Sequence, residues 1–201
     1  MPTSVTVLEQ NEIPEEPSYA VVRGYSLETV GEMKVDFFDA ALSKDAPCVV
    51  GVSLALARTG PQIRTLALAT RDNVFNLTLH RPPSLPQKRV LWEIFSNITY
   101  LTGFELPYAI ILLSHSLGCD ISGLDLSIIK LPFDDSYIKT PGTLIKSEIH
   151  SASIQHIDKR WESRAPCNGA KSTDILEPNC TLRAWFTAMC ANVPHECVIA
   201  N

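Results

Sequence analysis

Apolar residues along the chain fall into short runs of two kinds, and their order is the first guide to the fold. "CVVGVSLALA" (48–57), "IRTLALAT" (63–70) and "NVFNLTL" (73–79) are rich in Val, Ile, Leu and Phe and are bounded by "RTGPQ" and by Arg71 and Asp72, which is strand punctuation. Three strands with short links predict an antiparallel meander. "SYAVVRGYSLETV" (18–30) alternates around one glycine and predicts a short hairpin before them. "KVDFFDAALSKD" carries Val35, Phe38, Ala41 and Leu42 at helical spacing, and "QKRVLWEIFSN" turns Val90, Leu91, Ile94 and Phe95 inward. "HRPPSLPQ" between strand and helix is too proline-rich to continue a sheet.

The second half alternates. "TYLTGFE" reads as a strand, "PYAIILLSHSLG" as a helix opened by proline and closed by glycine, and "SGLDLSIIKLPF" as a further extended piece. "TPGTLIKSEIHS" predicts a short helix and "DILEPNCTLRAWFTAMCANV" a long closing one, entered near Pro178. A meander followed by alternating helices and strands implies an α/β fold with one mixed sheet. Residues 1–17, polar and acidic, read as a flexible tail, and 18–201 as a single domain, a length that suits one full core.

Several strings, taken in order, resemble a known family. "VRGYSLETVGEMKVDFFDAAL", "VVGVSLALA", "IRTLALATRDNVFNLTL", "LWEIFSNITYLTGFE", "LSHSLGCDISGLDLS", "TPGTLIKSEIHS", "RWES" and "PNCTLRAWFTAM" resemble consecutive pieces of the DEDD-superfamily 3'-5' exonucleases, in the RNase D and Werner-syndrome-type branch, plant type. The resemblance runs from about Tyr19 to Met189 and implies a ribonuclease H-like mixed sheet flanked by helices.

In that family four carboxylates hold two divalent ions that clamp the attacking and leaving oxygens of a phosphodiester. The first two ligands form Asp-x-Glu on the first strand, where alternation puts both on one face. Matched through Gly51, these fall on Ser53 and Ala55. Matching Gly103 and Gly118 puts the third on Ala109. Aligning back from Met189, the family's Tyr falls on Asp174 and its last Asp on Pro178, and a one-residue slip would bring in Glu177. One carboxylate cannot hold a pair of hard cations. The resemblance therefore implies a scaffold without its chemistry: no catalytic residue, no metal and no cofactor. Small replacements remove the need to bury paired charges.

Charge and other motifs refine this picture. Glu9, Glu12, Glu15 and Glu16 account for most of the net charge of −5, so the body is near neutral, and no global basic excess marks a nucleic-acid binder. Arg58, Arg64, Arg71, Arg81, Lys88 and Arg89, with Trp92 and Tyr100, make the middle of the chain locally basic. Of these, Arg58, Arg64, Arg71, Lys88 and Arg89 are the candidate nucleic-acid or partner surface. Cys190, His195 and Cys197, with Cys167 and Cys180, would suit zinc by ligand type, but their spacing fits no standard knuckle. Ser114, His115 and Ser116 are adjacent on a helix and point apart. Asp120, Asp125, Asp134 and Asp135 are read as turn and cap residues.

The start has neither a basic and apolar leader nor a transit composition, and no run approaches a membrane span. These features predict a cytoplasmic or nuclear protein with reduced thiols, in which the sequons at Asn76, Asn97 and Asn179 carry no glycan. The expected role is binding, with a partner protein as first target. The alternatives are a nucleic-acid binder that does not cut and a metal-dependent exonuclease with relocated ligands. A homodimer is compatible with the sequence.

Overall fold

The computed structural model describes residues 2–10, 18–41, 48–57, 62–128 and 176–192. Their strands are β1 (Ser4–Gln10), β2 (Ser18–Ser26), β3 (Val49–Leu56), β4 (Ile63–Ala69), β5 (Asn73–Thr78), β6 (Tyr100–Gly103) and β7 (Leu124–Asp125). The helices are α1 (Val30–Ala41), α2 (Leu85–Ser96), α3 (Leu106–Leu117) and α4 (Leu176–Asn192). The seven strands form one sheet in the order β1-β2-β5-β4-β3-β6-β7. β3, β4 and β5 pair antiparallel, as the meander predicts, and β6 runs parallel to β3 and β7 to β6. This is the ribonuclease H-like mixed sheet that was expected, extended at the β5 edge by β2 and β1.

Two expectations fail at the N-terminus. Residues 4–10, read as tail, form β1, antiparallel to β2 from Ser4↔Gly24 to Gln10↔Ser18. The stretch 18–30, read as a hairpin, holds a single strand, β2, followed by a 3-10 turn at Leu27–Thr29, because β2 finds its partners in β1 and β5 and not within itself. Gly24 makes no turn there; a Cβ on it would collide with the Ser4 hydroxyl as β1 passes alongside.

The two faces of the sheet carry different cores. One packs Val50, Val52, Leu66, Leu68, Phe75 and Leu77 under α1, α2 and α3. α1 buries Val30, Met33 and Phe37, and Phe38 and Ala41 of the expected stripe pack against the same core, while Val35 points outward at 54% exposure. α2 buries Leu91, Ile94 and Phe95 as expected, with Ser84 as N-cap and Gln87 closing the capping box. α3 ends at Gly118, whose φ of 72° lies in the left-handed region that favours glycine. The opposite face is small-grained: Ala20, Val22, Ala55, Ala67, Ala69 and Val74 meet Cys180, Ala184, Trp185 and Ala188 of α4. Among the described residues no helix is long and apolar enough to cross a membrane.

Candidate functional site

Register places the expected ligand positions. Side chains alternate along β3, so Val50 and Val52 join the larger core, while Gly51, Ser53 and Ala55 face α4. Ser53 pairs with Ala67, and Ala67 with Asn76, giving one row of side chains across three strands. Ala55 pairs with Thr65, and Thr65 with Thr78, giving the next row. β6 accompanies β3 only from Val49 to Gly51, so beyond Gly51 the strand has β4 alone beside it.

α4 closes over this face because its contact residues are small. A Cβ on Gly51 would overlap the Ala184 carbonyl oxygen and stand 2.6 Å from the Ala188 nitrogen. Trp185 fixes the lateral position: it is fully buried, and its indole N–H donates to the Arg71 carbonyl at 2.8 Å. Asn76 ties the other end, its Nδ2 donating to Thr181 Oγ1 at 2.6 Å.

Two polar atoms on these rows are buried without a partner: the Thr65 hydroxyl and the Asn76 carbonyl oxygen. Leaving such a group unpaired costs about 1–3 kcal/mol. Neither residue stood out in the sequence. The signal was an Asn between Phe75 and Leu77 in an otherwise buried strand, read there only as a sequon.

The remaining expected residues scatter. Ala109 packs against the larger core, on the other side of the sheet from Ala55. Pro178 lies in the first turn of α4, and Asp174 and Arg58 lie outside the described residues. Arg64 lies near the start of β4 on the face of Leu66 and Leu68, and Arg71 follows the strand in the turn to β5. Lys88 and Arg89 are on α2, across the sheet from α4.

Cys180 and Cys190 are both buried in α4, about 15 Å apart along its axis, too far to share one ion. His195, Cys167 and Cys197 lie outside the described residues, as do Asp134 and Asp135. Asp125 acts as a turn residue, accepting hydrogen bonds from the Ser127 N–H at 3.0 Å and hydroxyl at 2.7 Å.

Among the described residues, the donors on these rows do not suit a divalent pair. The two rows beneath α4 offer Ser53, Ala55, Thr65, Ala67, Asn76 and Thr78, none of them a carboxylate, whereas hard cations select charged oxygen ligands. Among the described residues no three His, Cys, Asp or Glu side chains come together as a metal site.

Comparison with solved structures identifies the fold. The EXO domain of Aedes aegypti Nibbler matches with a TM-score of 0.53 at 13% identity, over 84% of this chain and 84% of that one. Trypanosoma brucei RNase D matches at 0.48 and 15% identity, over 86% of this chain and 65% of its own. The EXD2 exonuclease domain, from crystals soaked in Mn and Mg, matches at 0.38 and 11%, over 85% and 87%. No family model matches the chain, and no curated protein matches its sequence. The chain therefore has the fold of a 3'-5' exonuclease domain.

Proposed function

We propose that this chain is a non-catalytic exonuclease-fold module that acts by binding, with a protein as its partner. The observation that carries the reading is the donor set beneath α4. The exonuclease fold is present, but Ser53 and Ala55 occupy the face where the resemblance puts paired carboxylates, and their cross-strand neighbours are neutral. Ala55 is only 8% exposed and lies in an alanine-rich core, an environment suited to packing rather than to a charged metal cage. The order of the quoted strings supports descent from the RNase D and Werner-type branch.

Protein is favoured over nucleic acid on two grounds. The chain carries a net charge of −5, and the candidate basic residues that are described are spread over β4, the turn that follows it and α2. Neither suits a continuous phosphate track.

The test is digestion of an end-labelled single strand by the intact chain, with magnesium or manganese. The expected result is no metal-dependent product even at equal concentrations of protein and strand; metal-dependent shortening would overturn the proposal. Salt-sensitive binding of the same strand without cleavage would favour the nucleic-acid alternative.

A further inference from the structure

α1 and α2 lie side by side and run in the same direction. Gln87 Nε2 donates to the Leu27 carbonyl at 2.9 Å near their starts, and Lys34 pairs with Glu93 at 2.8 Å one to two turns on. Each presents an outward stripe at helical spacing. Glu28, in the turn before α1, is followed by Glu32, Val35 and Asp39; on α2 the stripe is Leu85, Arg89, Trp92 and Ser96. The first stripe is acidic with one apolar residue, Glu28 already pairing with Arg81 of its own chain at 3.4 Å, and the second holds a cation beside an indole. Trp92 is 54% exposed and Leu85 65%, while Leu91, Ile94 and Phe95 on the other side of α2 are buried in the larger core. Among the described residues neither Arg89 nor Asp39 makes an ion pair.

We propose that this face is a two-fold interface between two copies of the chain. A two-fold axis lying in the interface, between α1 and α2 and parallel to them, places α1 of one copy over α2 of the other. Because the helices are parallel and in phase, the rotation leaves every residue at its own height. Glu28 and Glu32 of one copy then flank Arg89 of the other, and Val35 meets the exposed ring of Trp92. The patch is self-complementary, as an isologous contact requires. Its centre is a Trp beside an Arg, residue types that dominate interface energies. Two twelve-residue helices give a face at the low end of specific interfaces.

Sedimentation equilibrium of the intact chain across micromolar concentrations tests this. The expected result is a concentration-dependent shift from the mass of one chain to that of two. Trp92→Glu and Arg89→Glu should each weaken the association more than about tenfold. Both side chains are exposed, so at concentrations where the chain is monomeric the melting temperature should be unchanged in either variant. Combining Glu32→Arg with Arg89→Glu again sets opposite charges across the contact, with Glu28 left acidic, and should recover part of the lost association. A wild-type chain of single mass throughout, a dimer indifferent to Trp92→Glu, or a charge exchange that recovers nothing would each overturn the proposal.

Discussion

Gly51 lies directly beneath Ala184, so close that a methyl group on the strand would overlap the helix carbonyl. The relation is backbone on backbone: α4 descends onto β3 through a glycine and is flanked by Ala55, Ala67, Ala69 and Ala188. This contact seats the closing helix on the face that holds Ser53 and Ala55. It also makes that face intolerant of added volume.

Gly51→Ala is therefore expected to destabilise the chain by about 3 kcal/mol or more, at or above the upper end for overpacking, because the obstructing atoms are backbone and cannot rotate away. Urea unfolding followed by far-UV circular dichroism measures it. A loss under about 1 kcal/mol would mean that α4 shifts freely on the sheet.

Thr65→Val should move stability the other way. The Thr65 hydroxyl is buried with no partner, and valine keeps the side-chain shape while removing the unpaired group. The expected gain is about 1 kcal/mol, with an unchanged denaturant slope. A loss of similar size would show that the hydroxyl does have a partner in solution.

Legibility in the sequence followed locality. β3, β4 and β5 could be read because apolar composition and intervening turn residues specify both the strands and their antiparallel order. α2 could be read because its inward residues and its Ser84–Gln87 cap lie within one stretch. β1 could not: "SVTVLEQ" alternates, but its strand character depends on pairing with residues 18–26 across an acidic connection. α1 could be read in part: Phe38 and Ala41 pack against the core as their spacing predicts, but Val35 does not, and contact with Phe75 makes Phe37 the deeper residue. In the candidate site, Ser53 and Ala55 were found through the resemblance. Thr65 and Asn76 come beside them only through register, which no local pattern encodes.

Tyr25→Phe should cost about 1–3 kcal/mol near neutral pH. The Tyr25 hydroxyl donates to Asp36 Oδ2 at 2.6 Å and ties β2 to α1, and the bond is charge-assisted. Burial, followed by the hydrogen bond and charge of Asp36, pushes the Tyr25 phenol well above its ordinary value of 10.0. The folded state therefore holds this proton more tightly than the unfolded chain does. Its contribution is complete below pH 10.0 and is lost as pH rises from there toward the folded-state value. Unfolding titrations of both proteins above that pH check the sign: the wild type should lose stability more steeply than Tyr25→Phe.

Ala55→Glu probes the substituted face most directly. The new carboxylate would stand at an 8% exposed position, opposite the unpaired Thr65 hydroxyl and within an alanine-rich core. One hydroxyl cannot compensate a buried charge, so a loss of about 3 kcal/mol or more is expected near neutral pH, shrinking as the solution is acidified and the carboxyl takes up a proton. Adding Ser53→Asp should worsen the loss, because two like charges would then share one face of β3 without the remaining ligands of a cage. The deciding measurement is the unfolding midpoint of the double variant with and without manganese. If the neutral rows beneath α4 hold no cation, manganese leaves the midpoint where it is; a rise of several degrees would mean that two substitutions suffice to rebuild a metal site, with further carboxylate ligands reaching this face from elsewhere in the chain.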